Sequence, residues 1–331
     1  MRRGYRSAVQ IEPFTAGEAA YRRRVALLKE AQPEEPWSLE GERAADAADE
    51  AAGRPTCAFV AVAGGEVEGF ARAQTDADVP VAGRRRLWVA VAHASRRRGI
   101  GTALLGAVGA AAAARGATEF HASTSLAEPD GLAFALARGF REIEAEHELH
   151  LDLEAFESGG IPKAAGITSL AALQRTDRDW FERYYRLHTA VEASVPWGLG
   201  YAVPDQEAFR RRHVDAEEAL AEGTTIALAG GEWVGLCEMW RSGDDTHTAY
   251  EELTGVLPAY RGRGLGTALV AAAAAWAKGR GYRRLLTSTS VSNEAMGRTA
   301  RRLGFAVAGR WSHLLGPVTR GGVPSGQEGS S

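Results

Sequence analysis

Arg261-Gly262-Arg263-Gly264-Leu265-Gly266-Thr267 is the stretch that decides the fold, and the chain carries a second copy, Arg96-Arg97-Arg98-Gly99-Ile100-Gly101-Thr102. Each copy follows an apolar run typical of a strand and opens an alanine- and leucine-rich segment typical of a helix. The two copies lie 165 residues apart, which is the size of one domain. The repeated loop therefore predicts two related domains in tandem.

The repeat extends well beyond the loop. At the same spacing, Ser123-Thr124-Ser125 matches Ser288-Thr289-Ser290, and Gly139-Phe140 matches Gly304-Phe305. No gap is needed between the loop and these segments. A match of this length indicates that the whole domain is duplicated.

A second matching block lies upstream of the loop. The segment from Ala63 to Gly69 matches the segment from Ala229 to Gly235 at a spacing of 166 residues. Two collinear blocks establish an internal duplication. The predicted organisation is an N-terminal domain over residues 1–153, a linker over 154–166, a C-terminal domain over 167–316 and a disordered tail over 317–331.

Both copies show the same order of predicted elements. Helices come first, then a hairpin that turns at Gly64-Gly65 or Gly230-Gly231, because a Gly-Gly pair between β-rich runs favours a hairpin. The predicted helices span residues 19–30, 42–52, 102–115, 178–191, 206–222 and 267–280. The predicted strands span residues 57–62, 67–73, 87–92, 119–124, 225–229, 233–240, 250–257 and 284–289. This alternation predicts a mixed α/β fold.

Composition limits the class of protein. Of the 331 residues, 45% are apolar and 24% are charged, and the net charge of −3 gives no electrostatic reason to expect nucleic acid or a membrane as partner. The two cysteines, Cys57 and Cys237, stand in strand-like runs and are predicted to be buried thiols, which fits a reducing compartment. The first residues show no apolar signal segment, so we expect a cytoplasmic protein.

The loop has the chemistry of an anion site. Backbone N–H groups at the start of a helix have no partner inside the helix, and the helix dipole adds partial positive charge there. Gly262, Gly264 and Gly266 let the backbone approach a ligand closely, and Arg261 and Arg263 add charge. The loop therefore predicts a phosphate-binding cradle. The spacings of the dinucleotide and nucleoside-triphosphate loops are both missing.

The pattern R-x-x-G-x-G, after a strand that ends in valine and before an alanine-rich helix, resembles the acyl-CoA signature of the GCN5-related N-acetyltransferase (GNAT) superfamily. Downstream, Asn293-x-x-Met296 and Leu303-Gly304-Phe305 resemble the closing segment of that family. The resemblance covers residues 57–150 and 224–315. It implies two tandem GNAT-type α/β domains, each a mixed, mostly antiparallel twisted sheet flanked by helices.

The resemblance also implies a ligand. Acetyl-CoA would be the co-substrate, without a metal, its pyrophosphate would lie on the loop amides, and its pantetheine arm would run along the strand that ends at Val256 or Val91. The acceptor would be the amine of a small molecule or peptide. The predicted CoA-binding residues are Val256, Arg261, Gly262, Arg263, Gly264, Leu265, Gly266, Thr267 and Asn293, with Val91, Arg96, Arg97, Arg98, Gly99, Ile100, Gly101 and Thr102 in the first copy.

Acetyl transfer to an amine needs a base, because an alkylammonium with a pKa near 10.4 is almost fully protonated at pH 7. If side chains alternate along the strand, Glu252 shares a face with Thr254 and Val256 and points towards the thioester. Glu252 is thus the first candidate base and Glu251 the second. The same alternation places Tyr250 on the face of Thr254.

The general acid departs from the family pattern. The resemblance assigns it to a tyrosine seven residues after Asn293, but the chain has Ala300 there and Ala135 in the first copy. Either Tyr250 or a water serves instead, or the thiolate of pKa about 8.5 leaves without help.

The first copy has no strand carboxylate, so chemistry is predicted in the C-terminal domain. The alternative is a non-catalytic acyl-CoA-binding regulatory or scaffold protein. Within the enzyme class, a mycothiol synthase-like activity is open, since that enzyme also has two such domains, although the missing tyrosine argues against it. The oligomeric state is left open, and the two domains could form an intrachain pseudo-dimer.

Overall fold

The computed structural model describes residues 9–32, 37–54, 56–75, 81–127, 129–157, 166–195, 203–241 and 245–318. The chain divides into two compact units. Unit 1 comprises Met1–Ile143 with Ser312–Ser331, and unit 2 comprises Glu144–Trp311. These units do not coincide with the predicted boundaries. Residues 144–153 pack in unit 2 and residues 312–316 in unit 1, because each segment is part of a strand of that unit's sheet.

Unit 1 follows the predicted order, with one additional short strand at its start. Its elements are β1 (Gln10–Pro13), α1 (Glu18–Ala31), α2 (Leu39–Ala51), β2 (Cys57–Ala63), β3 (Glu66–Gln74), β4 (Arg84–Val91), α3 (Ile100–Ala113), β5 (Glu119–Ser125) and α4 (Pro129–Leu136). The strand order is β1-β2-β3-β4-β5, and the end of the last strand of the chain lies beside β5. Only β4 and β5 are parallel to each other within this run.

Unit 2 repeats this plan. Its elements are β6 (Arg141–Asp152), β7 (Ile167–Ser169), α5 (Leu170–Thr176), α6 (Trp180–Glu192), α7 (Gln206–His213), β8 (Thr225–Ala229), β9 (Glu232–Arg241), β10 (Thr248–Val256), α8 (Leu265–Gly279), β11 (Arg284–Ser290), α9 (Glu294–Leu303) and β12 (Ala306–Pro317). The strand order is β7-β8-β9-β10-β11-β6, and β10 and β11 are parallel. Each unit is therefore a mixed, mostly antiparallel sheet flanked by helices, as predicted.

Both predicted hairpins form. Gly64-Gly65 has φ angles of 64° and 86°, and Gly230-Gly231 has φ angles of 59° and 85°. A two-residue turn with positive φ at both positions matches the twist of the strands it joins, and glycine adopts it without strain. The turns thus place β3 and β9 in the middle of their sheets.

The two faces of each sheet bury different helices. In unit 1, α3 packs with Leu87 and Phe120 on one face, whereas Leu28 of α1 packs with Phe70 and Ala90 on the other. In unit 2, α8 packs on one face, and α6 packs with Leu236 and Leu253 on the other. Strands that alternate apolar side chains to both faces dictate this three-layer packing.

Some predictions of local structure differ from the structure. The helix predicted over 206–222 ends at His213, because the chain turns at 214–218 and then forms a β-bridge between Ala219 and Trp240. Strand β12 extends to Pro317, one residue into the predicted tail, and residues 319–331 lie outside the described residues, as do 158–165 of the predicted linker. Cys57 and Cys237 are buried and unbridged, as predicted. In the described part of the chain, no helix has both the length and the apolar character needed to cross a bilayer.

Candidate functional site

The same loop joins strand to helix in both units. Gly99 and Gly264 stand immediately before α3 and α8 with φ angles of 84° and 77°, in the left-handed region. Two positions earlier, Arg97 and Gly262 are also left-handed, with φ of 61° and 75°. A Cβ built on Gly99 or Gly264 would meet no atom within 4 Å. The concave side of each loop is therefore open.

The loop amides point out of the helix start. The first bond inside α3 runs from the N–H of Ala103 to the carbonyl of Gly99, and the first inside α8 from Ala268 to Gly264. The N–H groups of the three residues in between have no acceptor within the helix. Those residues are Ile100, Gly101 and Thr102 in unit 1, and Leu265, Gly266 and Thr267 in unit 2. This arrangement can bind a phosphate group.

The first arginine of each loop ties it to the preceding strand. The Nε of Arg96 donates to the carbonyl of Val91 at 3.2 Å, and the Nε of Arg261 donates to the carbonyl of Val256 at 2.9 Å. Arg261 also donates to the Ser194 hydroxyl at 2.8 Å. These arginines were predicted to add charge beside the cradle. The structure shows that they also fix where the loop leaves the strand.

The other loop arginines interact with neighbouring residues. Arg98 donates to the Ser95 hydroxyl at 3.4 Å. Arg263 donates to the carbonyl of Ala259 at 3.2 Å and lies over the Tyr260 ring. Their guanidinium groups therefore stay close to the loop and keep it positively charged.

The two parallel strands separate in front of each loop. In unit 1, β4 and β5 pair only as far as Arg86 and His121, and in unit 2, β10 and β11 pair only as far as Glu251 and Thr287. Beyond these pairs, the strand before the loop has no parallel neighbour in register. A gap of this kind can take an extended ligand along the strand edge.

In unit 1 the gap opens into a cavity of about 650 Å³. Its walls come from β4, the loop, β5, α4 and the end of α1, and they include Leu87–Val91, Arg96–Arg97, Gly99–Thr102, Ala122–Thr124 and Ala31. Arg138 beside it donates to the Thr102 hydroxyl. The cavity therefore joins the phosphate cradle to the opposite face of the sheet.

A β-bulge changes which carboxylate of β10 faces the loop helix. Glu251 pairs with Met239, but the next pair is Leu253 with Glu238, so Glu252 is an extra residue. Because an extra residue inverts the alternation, Thr254 and Val256 share their face with Glu251. The predicted placement of Glu252 on that face is wrong.

Tyr250 is affected by the same bulge. It pairs with Trp240, and it therefore lies on the face of Leu253 and Glu238, opposite to Thr254. The predicted placement of Tyr250 beside Thr254 is also wrong. Tyr250 is half-buried in its actual position.

Glu251 is buried, with the side chain of Thr254 beside its carboxyl group. Its side chain is 1% exposed, and its Oε2 atom has no hydrogen-bond partner among the described residues. Burial raises the pKa of Glu251 from 4.5 to about 7, because the charged form loses its hydration. Glu252, by contrast, is partly exposed and forms an ion pair with Arg212 at 3.3 Å. Glu251 thus has the pKa of a proton acceptor at neutral pH.

Asn293 has a structural role at the start of α9. Its side-chain oxygen accepts a hydrogen bond from the N–H of Met296 at 3.1 Å, which makes it the N-cap of that helix. The side chain predicted to contact CoA is therefore engaged in a cap.

A buried polar cluster that the sequence did not reveal lies on the α6 face of unit 2. Glu238 accepts hydrogen bonds from the Tyr184 hydroxyl at 2.7 Å, from His213 at 3.0 Å and from His188 at 3.1 Å. The two histidines hold the pKa of Glu238 well below its usual range. The atoms that His188, His213 and Glu238 offer lie within 4.8 Å of one another, a set that a divalent cation could use. Hydrogen bonds already engage both carboxylate oxygens, so the cluster anchors α6 and α7 to β9.

Comparisons with known proteins agree with this geometry. A family model described as the acetyltransferase (GNAT) family matches residues 178–305, and one described as the acetyltransferase (GNAT) domain matches residues 54–142. Together they cover about two thirds of the chain. No curated protein gives a significant sequence match.

Solved structures share the fold over nearly the whole chain. A GCN5-related N-acetyltransferase from Sphaerobacter thermophilus is 18% identical, with a TM-score of 0.69 over 94% of this chain and 96% of that one. A tandem GNAT protein from the clavulanic acid biosynthesis pathway is 19% identical, with a TM-score of 0.66 over 94% of this chain and 99% of that one.

The duplicated sheet, the loop and the family matches define the chain as an acyltransferase. More particularly, the chain belongs to the GCN5-related N-acetyltransferase superfamily and has two GNAT domains in tandem.

Proposed function

We propose that the protein transfers an acetyl group from acetyl-CoA to a primary amine, and that unit 2 performs this reaction with Glu251 as the general base. One observation carries the proposal: a buried carboxyl with a pKa of about 7 lies where β10 parts from β11, on the face of Val256 and α8. A cytoplasmic location, consistent with two unbridged cysteines, is part of the proposal.

The loop of unit 2 would hold the donor. The pyrophosphate would accept hydrogen bonds from the amides of Leu265–Thr267, and the pantetheine arm would extend along β10 beyond its last pair with β11. The loop of unit 1 has the same geometry and would bind the same part of CoA. Asn293 is not needed for this placement, since its side chain caps α9.

The reaction would proceed by direct attack. Glu251 takes one proton from the ammonium group and so frees the nitrogen lone pair. The nitrogen then forms a bond to the thioester carbon, the C–S bond breaks with its electron pair going to sulfur, and the departing thiolate takes the second proton from the nitrogen. The thiolate leaves without a tyrosine acid, since Ala300 occupies the position that resembles the family's tyrosine. A thiol with a pKa of about 8.5 is a fair leaving group.

The experiment compares Glu251→Gln with Glu252→Gln in a thiol-release assay with acetyl-CoA and a panel of amines. Glu251→Gln should lower kcat by about 10² to 10⁴, the usual contribution of a general base, whereas Glu252→Gln should change it less than threefold. Wild-type kcat should rise with pH through about 7, as Glu251 loses its proton, and the variant should lose this rise. Equal effects of the two substitutions would remove Glu251 from the role.

A further inference from the structure

The cavity of unit 1 has a serine on its wall with a histidine directly behind it. Ser123 of β5 lines the cavity, and its hydroxyl lies 3.0 Å from the Nδ1 atom of His313. The Nε2 atom of a second histidine, His121, lies 3.4 Å from the same Nδ1. His313 stands on β12 in the segment that belongs to unit 1, so one unit contains the whole group.

These side chains lie on the face of the sheet that is opposite to α3. Phe120 and Leu314, the chain neighbours of His121 and His313, pack in the core under α3. Since side chains alternate along a strand, His121, Ser123 and His313 lie on the opposite face, where α1 packs. The cavity reaches this face, because the end of α1 forms part of its wall.

The hydrogen-bond geometry suits proton transfer from serine to histidine. A serine hydroxyl can donate one proton, and a neutral imidazole has one nitrogen that accepts. The 3.0 Å contact lets the Ser123 hydroxyl donate to Nδ1 of His313 when that nitrogen carries no proton. His121 is 2% exposed, and its Nε2 atom lies 3.4 Å from the same Nδ1. The imidazole is thus held in an orientation that leaves the Ser123 oxygen on the cavity wall.

We propose that unit 1 is a second acetyl-transfer centre, in which Ser123 and His313 form a proton relay for an amine acceptor. Acetyl-CoA bound on the loop of unit 1 would place its thioester in the gap beside β4. The sequence offered no base for this unit, because the relay partner lies on a strand 190 residues from Ser123.

The amine nitrogen forms a bond to the thioester carbon, and the C–S bond breaks with its electron pair going to sulfur. The proton from nitrogen passes to the Ser123 oxygen, while the hydroxyl proton passes to Nδ1 of His313. The CoA thiolate then takes a proton from the imidazolium through water, which returns the relay to its starting state.

Unit 2 provides a matched control position. Ser288 is the duplicate of Ser123, but its backbone partner on the adjacent strand is Glu148. No such serine–histidine pair is present at Ser288, as far as the structure describes this strand. Ser288→Ala therefore makes the same chemical change in the equivalent strand of unit 2 and leaves the relay of unit 1 unchanged.

The test uses the full chain with Glu251→Gln, which silences the base proposed for unit 2. Into this background we place Ser123→Ala, His313→Gln or Ser288→Ala. CoA release is measured with acetyl-CoA and an aliphatic polyamine, an amino sugar or a short peptide with a free N-terminus. Acetyl-CoA affinity and thermal midpoint are measured for each variant.

The background variant should keep measurable transferase activity. Ser123→Ala and His313→Gln should each lower its kcat at least tenfold, with the acetyl-CoA KM within twofold and an unchanged thermal midpoint. Ser288→Ala should change kcat less than twofold. This split between kcat and KM distinguishes a relay from a packing role.

The inference shares its donor with the proposed function but uses different residues, so each can fail alone. Loss of all activity in Glu251→Gln would overturn the second centre and leave the proposed function standing. Equal kcat in Ser123→Ala and Ser288→Ala would also overturn it. If Glu251→Gln keeps full activity and the added Ser123→Ala abolishes it, the result would support the centre in unit 1. The same result would contradict the role of Glu251 as the general base. No turnover in the wild type with any of the three amines would count against both.

Discussion

At the residue scale, Glu251 combines a cost in stability with a chemical use. Its pKa is raised from 4.5 to about 7 because the buried carboxylate is poorly hydrated. Between these pH values the folded chain holds a proton that the unfolded chain has released. Stability therefore falls as pH rises through this window, and the full penalty above pH 7 is about 3 kcal/mol.

Replacing Glu251 with glutamine should remove this penalty. The stability of Glu251→Gln relative to wild type should be about 2.5 kcal/mol greater at pH 8 than at pH 5, because part of the wild-type penalty is already present at pH 5 and glutamine carries no charge at either pH. Urea unfolding at the two pH values measures the difference. Glu252→Gln, at a partly exposed side chain, serves as the control and should follow the wild-type pH dependence. If the free energy of unfolding of Glu251→Gln differs from that of wild type by the same amount at both pH values, the carboxyl does not carry this cost of burial.

At the scale of single elements, the bulge in β10 shows where sequence reasoning stops. Alternation along a strand assigned Glu252 to the face of Val256, and it would have been right for an unbroken strand. The register change after Glu251 inserts one residue and reverses the assignment. Nothing in the residues Tyr250–Thr254 signals a bulge, since it depends on how β9 and β11 pack beside them.

The N-cap of α9 gives a test at the same scale. Asn293→Ala should lower the free energy of unfolding by about 1 kcal/mol, because the N–H of Met296 loses its acceptor. Asn293→Asp should retain most of that stability, since aspartate also caps. Acetyl-CoA affinity, measured by calorimetry, should stay within twofold for both variants. A tenfold loss of affinity in Asn293→Asp would instead show that the amide contacts the ligand.

The repeated elements were the most predictable part of the fold. Gly64-Gly65 and Gly230-Gly231 carry local turn chemistry, and the two loops carry local helix-start chemistry, so short stretches of sequence were enough. The pair of Ser123 and His313 could not be predicted from the sequence, because these residues are 190 positions apart and only strand pairing brings them together.

At the scale of the whole molecule, the boundaries of the compact units are the main departure from the sequence-based organisation. The repeat predicts a domain boundary at the linker between its two copies. The structure places Glu144–Asp152 with unit 2, where β6 pairs with β11 and contributes Leu149 and Leu151 to the core. The sequence could not reveal this, since the closing strands of the two copies have similar patterns.

Fragments test these boundaries. Residues 144–311 should fold alone with a cooperative denaturation transition, because they form one compact unit. Residues 167–316, the predicted C-terminal domain, should not, because β11 loses its partner β6 and the core loses Leu149, Leu151, Leu153 and Phe156. Circular dichroism during guanidinium titration distinguishes the two. Equally sharp transitions for both fragments would show that β6 is dispensable.

The order of strands also determines when unit 1 can complete its sheet during synthesis of the chain. Most of unit 1 precedes unit 2 in the sequence, yet the strand beside β5 is the end of β12, which is made after all of unit 2. At a translation rate of roughly 5–20 residues per second, the intervening segment takes roughly 10–40 s to make. During this interval β5 is an unpaired edge, open to other nascent chains. The half of the protein that is made first therefore completes its sheet last.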